Sequence, residues 1–173
     1  MTIRTGSLLF LVFLLLIQIW GCGEKPTEQE LRAQAQAFEE EGKFEDAIGT
    51  YEKLLSLYPK SQQADTTVQK IAYLYYNNLK DFEKAIEYHR KLIDAYPESP
   101  LVSKARFMIG YIYANDLHDY DSAEAAYQDF LKHHPNDELV ESVKWELEHL
   151  GQDINEQLKE LFGEKSNGGA TAK

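Results

Sequence analysis

Cysteine is almost missing: Cys22 is the single one in 173 residues. One thiol can make neither an internal disulfide nor a thiolate metal cluster, so its position is what carries information. Basic residues are scarce as well, 18 against 29 acidic, for a net charge of −11. No basic stripe is available to neutralise phosphates, which argues against nucleic acid as a partner. An acidic surface is also unsuited to lying flat on anionic lipid. Gly-rich phosphate loops and nucleophile elbows are missing, and no Ser or Thr stands beside a His in a readable motif. The adjacent His133 and His134 point about 100° apart on a helix and make no i,i+4 metal pair. The sequence therefore shows no catalytic residues, no metal site, no cofactor and no evident small-molecule substrate. What it does hold is 43% hydrophobic residues with 11 Tyr and 8 Phe, too apolar for a disordered acidic chain.

No apolar run reaches the ~20 residues of a membrane-spanning helix. The longest, residues 8–20, has 13 and is broken only by Gln18. Arg4 precedes it, and Gly21, Cys22 and Gly23 follow. A positive start, a short apolar run and a small-residue end read as a secretory signal over residues 1–21. The stretch Ile19-Trp20-Gly21-Cys22 resembles the lipobox of bacterial lipoproteins, with Trp20 as its one unusual residue. The resemblance implies lipidation of Cys22, a tether over residues 22–28, and an envelope location. With Gly23 rather than Asp after the cysteine, it implies the outer membrane, facing the periplasm.

The body of the chain repeats every 38 residues. Pro59, Pro97 and Pro135 share that spacing. So do Ala47, Ala85 and Ala123, and so do Phe44, Phe82 and Tyr120. Leu54, Leu92 and Phe130 form a further column, as do Tyr51, His89 and Tyr127. Each proline ends a helix, because it cannot donate to the backbone ladder. Ser61, Ser99 and Asp137 are placed to cap the helix that follows. The alanines suit a close helix crossing, and the aromatics fill the space between pairs. Apolar residues between these markers recur at helical spacing, not in alternation. The periodicity predicts two helices per copy, with copies at about 28–61, 62–99 and 100–137 within a domain spanning 29–150. Residues 138–149 read as a capping helix with a polar outer face, ended by Gly151. A short helix is expected within residues 151–162, and 163–173 read as a tail.

The order small residue, aromatic, turn, aromatic, Ala, aromatic, bulky apolar, Pro resembles the tetratricopeptide repeat. Ala35, Phe38, Gly42, Phe44, Ala47, Tyr51, Leu54 and Pro59 carry it in copy one, and Gly110, Tyr113, Tyr120, Ala123, Tyr127, Phe130 and Pro135 in copy three. The family period is about 34 residues. The added residues fall in the turn within copies two and three and between each proline and the next small residue, where they are expected to lengthen the first helices. The resemblance implies an all-α, right-handed superhelical solenoid of three helix pairs plus a C-terminal capping helix. The Tyr-Pro-x-Ser junctions at Tyr58 and Tyr96, on a lipoprotein, resemble two groups. One is the lipoprotein subunit of the outer-membrane β-barrel assembly machinery. The other is the cell-division coordinator that works with Tol–Pal.

Repeat arrays of this family bind protein partners in a groove lined by first helices. Transferred by register, the groove positions are Arg32, Gln36, Glu39, Gln69, Tyr73, Tyr76, Phe107 and Tyr111. Tyr73 and Tyr111, one repeat apart, are expected side by side. Tyr75 and Tyr113 belong to the core column, His89 is a packed histidine, and Glu39-Glu40-Glu41 reads as a solvated face. Asn77 and Asn115 are expected to end first helices in the left-handed conformation. The chain thus reads as a membrane-anchored scaffold for other envelope proteins. A Tol–Pal coordinator or a structural spacer is the alternative, and an enzyme finds no support.

Overall fold

The computed structural model describes residues 25–152, so the expected signal segment, Cys22, and the short helix and tail expected after Gly151 lie outside the described residues. The described chain is all-helical, with no strand. Seven helices follow in order: α1 Glu28–Glu40, α2 Phe44–Leu57, α3 Ala64–Leu74, α4 Phe82–Ala95, α5 Val102–Asn115, α6 Tyr120–His133 and α7 Val140–Glu148. Each packs against its neighbours in sequence. The result is three helix pairs (α1–α2, α3–α4, α5–α6) and a single last helix.

The local chemistry explains the boundaries. Thr27 and Glu30 form a reciprocal capping box at the start of α1, with the Glu30 N–H donating to the Thr27 hydroxyl at 3.2 Å and the Thr27 N–H to the Glu30 carboxylate at 2.8 Å. Asp81 and Asp119 cap α4 and α6 through the N–H groups of Lys84 and Ser122. The junction residues do something other than cap a helix directly. Ser61, Ser99 and Asp137 accept the N–H of Gln63, Leu101 and Leu139, the residues just before α3, α5 and α7. They close a tight turn, and that turn takes up much of the added length of the repeat. The first helices span 13, 11 and 14 residues against 14 for each second helix, and the 11 of α3 run on without a break into the wide turn Tyr75–Leu79. The serine hydroxyls also donate backwards, Ser61 to Glu28 at 2.5 Å and Ser99 to Asp65 at 2.6 Å, tying successive first helices together.

The turns within copies two and three differ from expectation. Their left-handed residues are Lys80 (φ 55°) and His118 (φ 54°), in the same 38-residue column as Gly42 (φ 72°). Asn77 lies in a single wide π turn, Tyr75–Leu79, that absorbs the added residue after α3. Asn115 is the last residue of α5. Each donates its side-chain amide to the carbonyl four residues back, Asn77 to Tyr73 at 3.2 Å and Asn115 to Tyr111 at 3.1 Å. They satisfy helix-end carbonyls through the side chain rather than by turning the backbone.

The core follows the repeat columns. Ala35, Ala47, Ala72, Ala85 and Ala123 are fully buried, as are Leu54, Leu92, Tyr127 and Phe130. Val143 seals α7 against α6, while Trp145 of the same helix stays 48% exposed. Tyr75 and Tyr113 are half-buried and pack on the core edge.

Candidate partner-binding groove

The first helices present a shared face, and between α3 and α5 that face opens into a groove of about 440 Å³. Gln69, Tyr73 and Tyr76 line it from α3 and the π turn, Lys104 and Met108 from α5, and His89 from α4 behind them. Tyr73, the next-to-last residue of α3, is 54% exposed, so its ring contributes little to the core. Lys70 lies over that ring at 5.8 Å. Tyr76 is half-buried against Phe82, with ring centroids 5.8 Å apart. Burial, with the Asp116 carboxylate beside it, pushes the Tyr76 hydroxyl up to about 12. His89 is 5% exposed, and its Nδ1 has no hydrogen-bond partner. Burial and the nearby Lys104 charge bring its imidazole down to about 4. The groove therefore has an aromatic wall, a thioether wall and a neutral imidazole at its back. It offers apolar contact with a few polar handles, suited to a peptide side chain rather than to bond-making chemistry.

The transferred groove positions fall in four different settings. Gln69, Tyr73 and Tyr76 converge on the groove. Phe107 and Tyr111 lie further along the same face, with rings 6.0 Å apart, and Phe107 also packs on Tyr127 at 6.1 Å. No ring contact links Tyr73 to Tyr111 among the described residues, so the two form successive steps rather than a stacked pair. Gln36 stands exposed on α1. Arg32 and Glu39 are committed to holding helices together. Arg32 donates to Glu28 at 3.0 Å and to Thr67 at 3.3 Å. Glu39 accepts from the Tyr51 hydroxyl at 2.6 Å and pairs with Lys70 at 2.9 Å. Glu39 is thus not part of a solvated face, unlike the exposed Glu40 and Glu41.

Two residues in register with the groove positions were not assigned to the groove from the sequence. Trp145 and His149 stand 38 residues after Phe107 and Tyr111, and their rings stack at 4.4 Å with an interplanar angle of 20°. Carrying the register into α7 reveals them. Among the described residues, no group of three or more His, Cys, Asp or Glu is arranged to hold a metal ion. His133 instead bonds the Asp129 carbonyl at 2.9 Å, and His134 packs on Phe130.

Comparison with known proteins agrees with this architecture. The model of a family described as outer membrane lipoprotein (YfiO) matches residues 24–118. A tetratricopeptide repeat model matches residues 104–137, the third copy. No curated protein matches the chain. Among solved structures, the complex of the TPR2AB domain of yeast Sti1 with pHSP90 is similar at a TM-score of 0.52 and 21% identity, covering 80% of this chain and 50% of that one. The chain thus spans half the length of that relative. BtubC (BKLC) from P. vanneervenii is similar at a TM-score of 0.51 and 14% identity, covering 88% of this chain and 71% of that one. Identities this low speak for the fold alone. The family model covers more than half of the sequence, and the chain belongs to the outer membrane lipoprotein family, built from tetratricopeptide-type helix pairs.

Proposed function

We propose that this protein is a lipid-anchored scaffold of the cell envelope, held at the outer membrane through Cys22 and facing the periplasm, which captures protein partners in its first-helix groove during outer-membrane protein assembly. The observation that carries the reading is the α3–α5 groove, where Tyr73 is exposed beside Tyr76 and Met108. An exposed tyrosine at a groove wall offers contact area and a hydroxyl at low entropy cost. Membership of an outer membrane lipoprotein family supports the location. The similar Sti1 domain was solved in complex with pHSP90, a protein partner, which supports the mode of use.

The test is in-cell photocrosslinking from position 73 of the full-length chain, followed by detergent solubilisation of the envelope. Recovery of a β-barrel assembly protein, lost when Tyr76 and Met108 are replaced by Ala, is the expected result. Recovery of Tol–Pal or peptidoglycan-synthesis proteins would move the chain to envelope constriction. A crosslink-free position 73 in cells that contain the protein would sink the groove reading.

A further inference from the structure

Helix α5 has two working sides. At 100° per residue, Lys104, Met108 and Tyr111 fall on the groove side, while Arg106, Ile109 and Tyr113 fall on the opposite one. On that opposite side, α4 and α6 leave a cleft of about 370 Å³ over Ile109 and Tyr113.

The equivalent place one repeat earlier is closed. Tyr88 fills it, 5% exposed, with its ring stacked on Tyr75 at 5.5 Å and its hydroxyl donating to Glu52. Moving each residue forward by 38 positions shows what changed: Tyr75 becomes Tyr113, Tyr88 becomes Ala126, and Glu52 becomes Arg90. The platform ring is kept, the inserted ring is gone, and the acid that received its hydroxyl is now a cation. Arg90 donates to the Tyr113 hydroxyl at 3.0 Å and has no carboxylate partner within ion-pair distance among the described residues. Arg106 pairs with Asp129, and its Nε is buried without a hydrogen-bond partner. Asp94 also lines the cleft, one helical turn after Arg90 and likewise without an ion-pair partner among the described residues, but it is Arg90 that reaches the Tyr113 hydroxyl.

We propose that this cleft is a second docking site, which receives an aromatic side chain flanked by carboxylates from a separate protein. The ring would occupy the space that Tyr88 occupies one repeat earlier and lie on Tyr113, and the carboxylate would meet Arg90. At the Tyr113 end of the cleft, where Arg90 stands in the place of Glu52, local charge complementarity selects the occupant. A ring flanked by lysines would meet Arg90 with like charge, and an acidic segment without a ring would leave the space over Ala126 empty. A chain with a groove on one side of α5 and a socket on the other can hold two partners at once.

The test uses the full chain in detergent micelles with alanine methyl groups labelled for NMR. Acetyl-Glu-Tyr-Glu-amide should shift the Ala125 and Ala126 methyl signals saturably, with acetyl-Lys-Tyr-Lys-amide about tenfold weaker and acetyl-Glu-Ala-Glu-amide without effect. Arg90→Glu, at an exposed position, should weaken the acidic peptide about tenfold and leave the melting temperature close to wild type. The Ala126→Tyr/Arg90→Glu double variant restores the Tyr88–Glu52 arrangement, so it should block the peptide and melt higher than Arg90→Glu alone. No saturable shift, an equal response to the lysine peptide, or an unchanged response in Arg90→Glu would overturn the proposal. So would movement of these methyl signals on deletion of residues 153–173 alone, since the occupant would then be the chain's own end.

Discussion

Gly110 sits so close to Tyr127 that a Cβ on the glycine would lie 2.5 Å from two carbons of the tyrosine ring. Tyr127 is fully buried, and Phe107 lies against it at 6.1 Å, so the ring has little room to retreat. The same column holds Ala35 and Ala72 in the other copies, where a methyl group fits. Gly110→Ala should therefore destabilise the fold by about 1–3 kcal/mol through overpacking, although alanine is the better helix former. Urea denaturation followed by circular dichroism measures this. A gain in stability would mean that α5 and α6 separate easily.

Gly42 makes the opposite case. Nothing lies within 4 Å of where its Cβ would be, but its φ is +72°. Gly42→Ala should cost about 1 kcal/mol from backbone conformation alone. Lys80→Gly, at the equivalent left-handed position, should gain a smaller amount of roughly 0.5 kcal/mol, because the lysine also lies over the Tyr76 ring at 5.6 Å. Paired melting curves of the two variants should shift in opposite directions.

His89 gives the fold a pH dependence. Burial holds its imidazole at about 4, against 6.5 in the open chain. The folded ring stays neutral where the unfolded one takes a proton. The stability from this residue is complete above pH 6.5 and declines as pH falls toward 4, by up to about 3 kcal/mol at ~1.4 kcal/mol per unit. His89→Phe, which places an aromatic where copies one and three have Tyr51 and Tyr127, should remove that part of the decline. Unfolding free energies at pH 7, 5.5 and 4.5 report the difference between the two proteins. Parallel pH curves would show that the imidazole is solvated in the folded chain.

Trp145 is 48% exposed on a helix whose buried contact is Val143. Trp145→Ala should change stability by no more than about 0.5 kcal/mol. If α7 extends the groove, the same substitution should lower partner capture about tenfold or more. Comparing crosslinking yield with helicity in one preparation separates the two effects. Capture at the wild-type level would end the groove at Tyr111.

The repeat frame was legible because its columns are enforced by hard physics: proline stops, alanine crossings and aromatic fillers each tolerate few substitutes. That is why the bounds of α2, α4 and α6 follow from the columns. The turns were less legible. A left-handed residue is usually glycine or asparagine, so Lys80 and His118 gave no local signal, although the 38-residue column from Gly42 pointed to them. The groove was legible in part. Register located Tyr73 and Tyr76, but it could not show that Arg32 and Glu39 were already bound to Thr67 and Lys70, because those partners belong to the next repeat. The socket beside Arg90 was hidden for a related reason. Ala126 is an ordinary helix residue until its counterpart, Tyr88, is seen filling the same space one repeat earlier.

The start of the described chain is fastened on both sides. Lys25 donates to the Leu57 carbonyl at 3.3 Å and lies over the Tyr58 ring at 4.9 Å, while the Tyr58 hydroxyl donates to the Pro26 carbonyl at 2.8 Å. Only three peptide steps separate Lys25 from Cys22, about 11 Å at full stretch. A lipid on Cys22 would then act less as a leash than as a hinge pin. The first helix pair would ride at the height of the lipid headgroups, and α7 would swing as the far end of a stiff arm whose reach is set by the number of repeats.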